Sequence, residues 1–482
     1  MYLCKPNSKI MSKIIGREEE QRKLKSFVES DSPEFVAVYG RRRIGKTYLI
    51  KNFFKGNFDF YMTGSFNAKM SDQLDDFHAA LEEYSGIEWK KPNSWREAFR
   101  QLKKYLSSLN KSRIIVYIDE LPWLDTPRSR FISALEMFWN SWGDSQSNLK
   151  FIVCGSATTW MTNKLIGDKG GLHNRVTQRI YLAPFNLHET EEMLQMKGVK
   201  WTRHQIVECY MTIGGTPFYL AKLDRTQSLA QNIDRLFFHH TGELRMEYDI
   251  LFRSLFRNAT IYRQIIELLA NRSTGMTRKE IMAELKLDKG GTLSEALQNL
   301  ITCDFIREYK SYGKKEREKL FQLTDLFTLF YLKQVKDNNI EENYWTTRLD
   351  APSHRAWSGY AFEQVCLHHI PQIKAALGIS GVATSVSSWV GETDGKKTGQ
   401  IDLIIDRRDE VINLCEMKYS LNEYDITPTY MQKLNDRAEE FRKSTKTKKA
   451  LHLTFVTING VKHNAQWSMI QNEVTADDLF RP

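Results

Sequence analysis

The chain has 482 residues, 41% hydrophobic, 12% aromatic and 27% charged, with a formal net charge of +10 at neutral pH. That length predicts about three domains, each able to bury a core, and the mix of apolar and charged residues excludes a disordered chain. No run approaches the roughly 20 apolar residues of a membrane-spanning helix, and the opening stretch MYLCKPNSKIMSKIIG lacks the apolar segment of a signal peptide, which predicts a cytoplasmic protein with no membrane partner. Cys4, Cys154, Cys209, Cys303, Cys366 and Cys415 form no C-x-x-C pair and read as core residues of a reducing compartment. The basic balance suits a polyanionic partner such as nucleic acid.

In chain order, the first strong signal is EFVAVYGRRRIGKTYLIKNFF, an apolar strand, a loop from Gly40 to Thr47, and an apolar-periodic helix. G-x-x-x-x-G-K-[ST] in that setting predicts a phosphate-binding loop for ATP. Gly40 and Gly45, with Arg43 between them, let the backbone curl so that its N–H groups face the β-phosphate. Lys46 would reach the β- and γ-phosphates, and the Thr47 hydroxyl would ligate Mg²⁺. A second strand, RIIVYIDELPWL, ends in Asp119 and Glu120. Asp119 would hold the metal through water, and Glu120 would polarise the attacking water. A third strand ends in Ser156, with Thr158 and Thr159 beyond it; a polar group there either orients the lytic water or caps the strand end.

Together with IIGREEEQRKLKSFV before the loop and GGTPFYL after the third strand, these motifs resemble AAA+ ATPases, specifically the prokaryotic archaeal-type group bordering the origin-recognition and STAND classes. The resemblance implies that Gly16 and Arg17 lie beside the adenine. It also implies that Arg175, or less favourably Arg179, is an arginine finger completing a neighbouring subunit's site in a homo-oligomer.

From Thr260 the pattern turns helical. IYRQIIELLA carries an apolar stripe, and capping boxes at Thr277 to Glu280 and Thr292 to Glu295 predict two short helices with the turn at Lys289-Gly290-Gly291. Two strands flanking the basic tip KSYGKKEREK complete a winged helix-turn-helix. The second helix offers Ser294, Gln298, Asn299 and Thr302 and no basic residue, so it is a poor phosphate binder. The wing has Lys314, Lys315, Arg317 and Lys319, interrupted by Glu316 and Glu318, and reads either as a non-specific DNA contact or as a solvated hairpin.

TGQIDLIIDRRDEVINLCEMKYS predicts a hairpin of strands from Gly399 to Asp406 and Val411 to Lys418, joined by a three- or five-residue loop, with Asp402 opposite Glu416 and Lys418 opposite Gln400. Alternation puts Asp402, Glu416 and Lys418 on one face and Ile401, Leu403, Ile405, Cys415 and Met417 on the other. Opposed like charges on a sheet need an offset. Mg²⁺ or Mn²⁺ held by Asp402 and Glu416 supplies one, with Lys418 orienting or deprotonating a water. Upstream, GYAFEQVCLHHI sets Glu363 at the border of a buried stripe of Phe362, Val365, Cys366 and His369. This constellation resembles the PD-(D/E)XK nucleases, although Ile401 rather than proline precedes Asp402. The alternative is a relic of the fold in which Lys418 merely neutralises the carboxylates.

The whole chain thus resembles prokaryotic ATPases joining an AAA+ module, a winged helix and a C-terminal nuclease-like domain. The expected fold is α/β: a P-loop AAA+ core over 12–185, a helical lid over 186–255, a winged helix-turn-helix over 256–335 and a restriction-endonuclease-like domain over 350–470. Two functions fit: an ATP-hydrolysing protein acting on DNA, or RNA, through a metal-dependent nuclease site, and a nucleotide-controlled assembly switch whose nuclease-like domain only binds.

Overall fold

The computed structural model describes residues 13–167, 172, 174–256, 259–287, 290–314, 318–338, 341–393 and 396–482. Two compact units divide the chain, Met1–Ala183 and Pro184–Pro482. Among the described residues no helix is long and apolar enough to cross a membrane. Cys154, Cys209, Cys303, Cys366 and Cys415 are free and buried; Cys4 lies outside the described residues.

The first unit is built on five parallel strands: β1 (Glu34–Tyr39), β2 (Phe60–Thr63), β3 (Ile114–Asp119), β4 (Leu149–Gly155) and β5 (Gln178–Tyr181). Their order across the sheet is β2-β3-β4-β1-β5. Both faces are apolar because both are covered. Phe35, Ala37, Val116, Ile118, Phe151 and Val153 pack on helices α3 (Met70–Ser85), α4 (Trp95–Ser108) and α5 (Phe131–Ser141). Val36, Val38, Tyr117, Ile152 and Cys154 pack against Leu24 and Phe27 of α1 (Glu18–Glu29) and Leu49 and Ile50 of α2 (Lys46–Phe53). The parallel register brings the carboxyl ends of β1, β3 and β4 to one edge, which fixes where Gly40, Asp119 and Ser156 sit.

In the second unit, α6 (Leu187–Met196) and α7 (Arg203–Ile213) start at capping boxes of Asn186 with Glu189 and of Thr202 with Gln205. In GGTPFYL a Cβ on Gly215 would fall 1.8 Å from the Phe185 carbonyl oxygen, so only glycine permits that approach. Then follow α8 (Ala259–Ala270), β6 (Met276–Thr277), α9 (Arg278–Glu284), α10 (Gly290–Thr302), β7 (Ile306–Tyr309) and β8 (Leu320–Leu323), with an antiparallel sheet ordered β6-β8-β7. The Thr277–Glu280 capping box forms as expected. The Thr292 box does not, because α10 already begins at Gly290; Gly290 and Gly291 therefore belong to the helix rather than to the turn, and Lys289 lies outside the described residues. Arg278 explains the early start, since its guanidinium binds the Gly290 carbonyl at 2.7 Å and the Ser294 hydroxyl at 2.9 Å. Asn299 is also not on an open face: it is buried and donates to the Tyr262 hydroxyl at 2.8 Å.

The segment after β7 is not the simple solvated hairpin of one expectation, because its base is attached to another strand. The Tyr312 N–H donates to the Ser388 carbonyl at 2.6 Å, and the Ser388 N–H donates to Lys310 at 3.3 Å. The Tyr312 ring packs on Phe441 with centroids 5.1 Å apart. The strand edge to which it attaches belongs to the last sheet, β9 (Thr384–Thr393), β10 (Lys396–Arg407), β11 (Val411–Lys418), β12 (Ala450–Thr457) and β13 (Asn472–Thr475), ordered β13-β12-β11-β10-β9. Lys319 is held by Glu308 at 3.0 Å, Lys314 is exposed, and Lys315, Glu316 and Arg317 lie outside the described residues.

In that sheet β9, β10 and β11 are antiparallel, whereas β11, β12 and β13 are parallel. Helix α12 (Pro428–Thr445) makes the crossover from β11 to β12, and α11 (Pro352–His368) precedes the sheet. Just after α11, His369 is fully buried. Its Nδ1–H donates to Val365 at 2.7 Å, and its Nε2 accepts from the Leu187 N–H at 3.0 Å, an arrangement only the neutral ring can make. Burial pushes its pKa down to about 4. The unfolded ring, with an ordinary pKa near 6.5, takes up a proton first, so stability falls as pH drops from about 6.5 to about 4, by roughly 3 kcal/mol in total. Urea unfolding at pH 7 and pH 4.5 should show this loss, and His369→Gln should show a smaller one.

Candidate functional site

At the nucleotide edge, Gly40 has φ 146° and a Cβ there would lie 2.3 Å from the Leu182 carbonyl oxygen; Gly45 has φ 88°. Arg43, between them, also takes a left-handed backbone at φ 76°. Lys46 follows directly at the first turn of α2. Its ammonium donates to the carbonyls of Gly40 at 2.9 Å and Arg41 at 2.8 Å, which aims it across the mouth of the loop. The Thr47 hydroxyl donates to Asp119 Oδ2 at 2.7 Å. Side-by-side hydroxyl and carboxylate oxygens are the hard donors magnesium takes, so the residues present fit that ion. Arg41, missed in the sequence, is 1% exposed beneath the same loop.

Glu120 takes a left-handed backbone at φ 47° right after β3. Its Oε2 accepts from both the backbone N–H of Ser156 at 3.0 Å and the Ser156 hydroxyl at 2.8 Å. Burial pushes the Glu120 carboxyl up, against the opposing pull of Lys46. Ser156 therefore grips the carboxylate rather than standing free to orient a water, and Thr158, fully buried, donates to Ser156 O at 3.4 Å. Ser156→Ala removes one hydrogen bond to this carboxylate and should lower kcat for ATP about tenfold with KM little changed, read from steady-state hydrolysis.

Gly16 and Arg17 form a left-handed turn at the start of α1, with φ of 55° and 59°. The buried Arg17 guanidinium donates to the Ala183 carbonyl at 2.6 Å. Arg175 precedes β5, at the edge opposite the phosphate loop, where it meets Asp144 at 3.4 Å. From there it cannot serve its own loop. Arg179 is exposed on β5.

The C-terminal hairpin pairs Leu403 with Cys415 and Asp406 with Ile412 through a three-residue loop, the expected register, and the paired residues end at Leu403, one short of Asp402. The simple alternation fails at one point. Pairing of β10 with β9 shifts register between Ile401 and Ile404, and Ile401 packs with Ile404, Leu414 and Phe441 instead of with the opposite face. Such a bulge re-aims the side chain beside it, here Asp402.

Glu416 accepts from Lys418 at 2.7 Å, from Arg437 at 2.8 Å and from the Tyr430 hydroxyl. Burial opposes its charge, but Lys418 and Arg437 hold its carboxyl below the ordinary value. Arg437 and Tyr430 of α12 were not foreseen, and they supply the offset that the sequence argument assigned to a cation alone. Spaced seven residues apart, they share one face of α12. Lys418 is raised in turn: burial works against it, yet Glu416 keeps it firmly protonated. In this arrangement it can stabilise negative charge or orient a water.

Asp402 accepts from Gln400. Burial, and then the nearby Glu416 charge, push its carboxyl up. On α11, burial and then the Asp402 charge push Glu363 up to about 8, against Lys418. The four expected residues thus sit in one electrostatic neighbourhood, although among the described residues no three His, Cys, Asp or Glu side chains are grouped as a ready metal-ligand set. Glu416, expected to share a cation with Asp402, has its carboxylate taken by Lys418, Arg437 and Tyr430; Glu363 and Asp402, which no cation pairs among the described residues, have the chemistry that fits a hard divalent ion.

Residues 14–223 match the family model described as an ATPase domain predominantly from Archaea. The match spans the phosphate loop, Asp119 and Glu120, and the chain carries an ATPase domain of that type. Over 429 residues, 86% of this chain and 90% of the relative, it is 26% identical to an uncharacterized protein of Methanocaldococcus jannaschii. Among solved structures it is similar to a Walker-type ATPase of Pyrococcus abyssi, at 20% identity and TM-score 0.49 over 66% of this chain and 96% of the other. It is also similar to the ORC2 protein of Aeropyrum pernix, at 14% identity and TM-score 0.43 over 68% and 95%.

Proposed function

We propose that the protein hydrolyses ATP at Lys46, Thr47, Asp119 and Glu120 and acts on DNA through a divalent-metal-dependent nuclease site at Glu363, Asp402, Glu416 and Lys418. In this reading residues 256–335 are a winged helix and the last sheet is a PD-(D/E)XK-like domain. The observation that carries the nuclease part is a fixed Lys418 ammonium, bound to Glu416 at 2.7 Å, in the same electrostatic neighbourhood as the half-buried carboxyls of Glu363 and Asp402. Magnesium held by Thr47 and Asp119, and magnesium or manganese held by Asp402 and Glu363, would neutralise charge on the reacting phosphates.

The chain's own residues do the rest. Glu120, gripped by Ser156, takes a proton from the attacking water at the nucleotide site. Lys418 places its charge where the phosphodiester would gain negative charge, and Arg437 with Tyr430 fixes the Glu416 carboxylate that aims it. Arg175, facing away from its own loop, completes a neighbouring copy's nucleotide site.

Plasmid incubated with the protein and Mg²⁺ or Mn²⁺ should be nicked or cut by the wild type and spared by Asp402→Ala and Lys418→Ala. Equal DNA recovery in all samples would leave the switch reading, in which nucleotide controls assembly alone.

A further inference from the structure

We infer that Arg307, contributed by the middle segment of the chain, completes the C-terminal carboxylate site as its phosphodiester-binding cation. This rests on the reading that the site acts on nucleic acid, and it adds a residue no motif contains. Arg307 lies on β7 opposite Gln322 of β8. Its Nε donates to Gln322 Oε1 at 2.9 Å, Nη2 donates to the same oxygen, and Gln322 is itself oriented by the Ser273 carbonyl. The guanidinium carbon sits 4.9 Å from the centroid of the Tyr309 ring. The planar head is therefore held in one orientation before any ligand arrives, which lowers the ordering cost of binding.

That orientation is tied to the carboxylates by backbone. Three and five residues beyond Arg307, Lys310 and Tyr312 hydrogen-bond to Ser388 on β9, the neighbour of the strand carrying Asp402. On the helix side, the Tyr360 hydroxyl donates to the Leu323 carbonyl at 3.5 Å, one turn before Glu363. Arg307 feels the charges of both Asp402 and Glu363, yet it forms no ion pair with either among the described residues. A fixed cation within electrostatic reach of Asp402 and Glu363 that pairs with neither is placed for a third party carrying negative charge. A phosphodiester that meets the Lys418 ammonium and a guanidinium fork together has that chemistry.

The test is equilibrium binding of a duplex oligonucleotide to the full chain in EDTA across a salt series, comparing wild type with Arg307→Gln and Arg307→Lys. Far-UV circular dichroism and the urea-unfolding midpoint of each variant serve as the check that it is folded. Losing one phosphate contact should make the slope of log K against log salt shallower by about one in Arg307→Gln, with binding about tenfold weaker, while Arg307→Lys keeps the slope. An unchanged slope in Arg307→Gln, or a protein that does not bind the duplex, overturns the inference. Arg307-dependent binding by a protein that never cuts would uphold the inference and remove the nuclease reading alone.

Discussion

Glu120→Gln is expected to lower ATP hydrolysis by about 10²- to 10⁴-fold while leaving nucleotide binding in place. The substitution keeps the shape of the side chain and both Ser156 contacts to its carbonyl oxygen, so the phosphate loop, Lys46 and the Thr47–Asp119 pair should not move. What disappears is the proton acceptor. Glu120 is suited to that work because burial raises its carboxyl while Lys46 keeps it ionised enough to accept. Hydrolysis measured beside fluorescent-nucleotide binding separates the two effects. A variant that still hydrolyses at the wild-type rate would mean that another group activates the water.

Asp402→Asn should reduce metal-dependent DNA cleavage on the order of a thousandfold, the largest effect expected in the C-terminal half. Asn keeps the volume and the Gln400 neighbour but supplies a neutral oxygen in place of a charged metal ligand. Lys418→Ala should act through different physics. It removes the charge facing the phosphodiester and also leaves Glu416 with Arg437 and Tyr430 alone. Its cleavage loss should therefore be accompanied by a pH profile altered from that of Asp402→Asn, as measured by initial nicking rates between pH 6 and pH 9.

Much of this was legible because the informative features are local. A glycine-lysine-threonine loop after an apolar strand determines its own backbone, and the continuous apolar runs of β1, β3 and β4 mark buried parallel strands, whose shared direction places Tyr39, Asp119 and Gly155 at the same edge. The hairpin register could be counted from residue numbers. What escaped were events between distant segments. The bulge at Ile401 to Ile404 depends on β9, whose pairing no pattern in β10 announces. Arg437 and Tyr430 reach Glu416 only because α12 crosses over one face of the sheet, and the middle segment reaches β9 through backbone groups that carry no sequence signature. The early start of α10 has a similar cause, since Arg278 binds Gly290 across the turn.

The central claim, that Asp402 of the last sheet and Glu363 of α11 hold a divalent cation, is tested most directly by Mn²⁺ titration of the nucleotide-free full chain, with free Mn²⁺ followed by its paramagnetic resonance. The account predicts a saturable Mn²⁺ site in the wild type that is lost in Asp402→Ala while circular dichroism stays unchanged. Identical Mn²⁺ binding by the two proteins would contradict it.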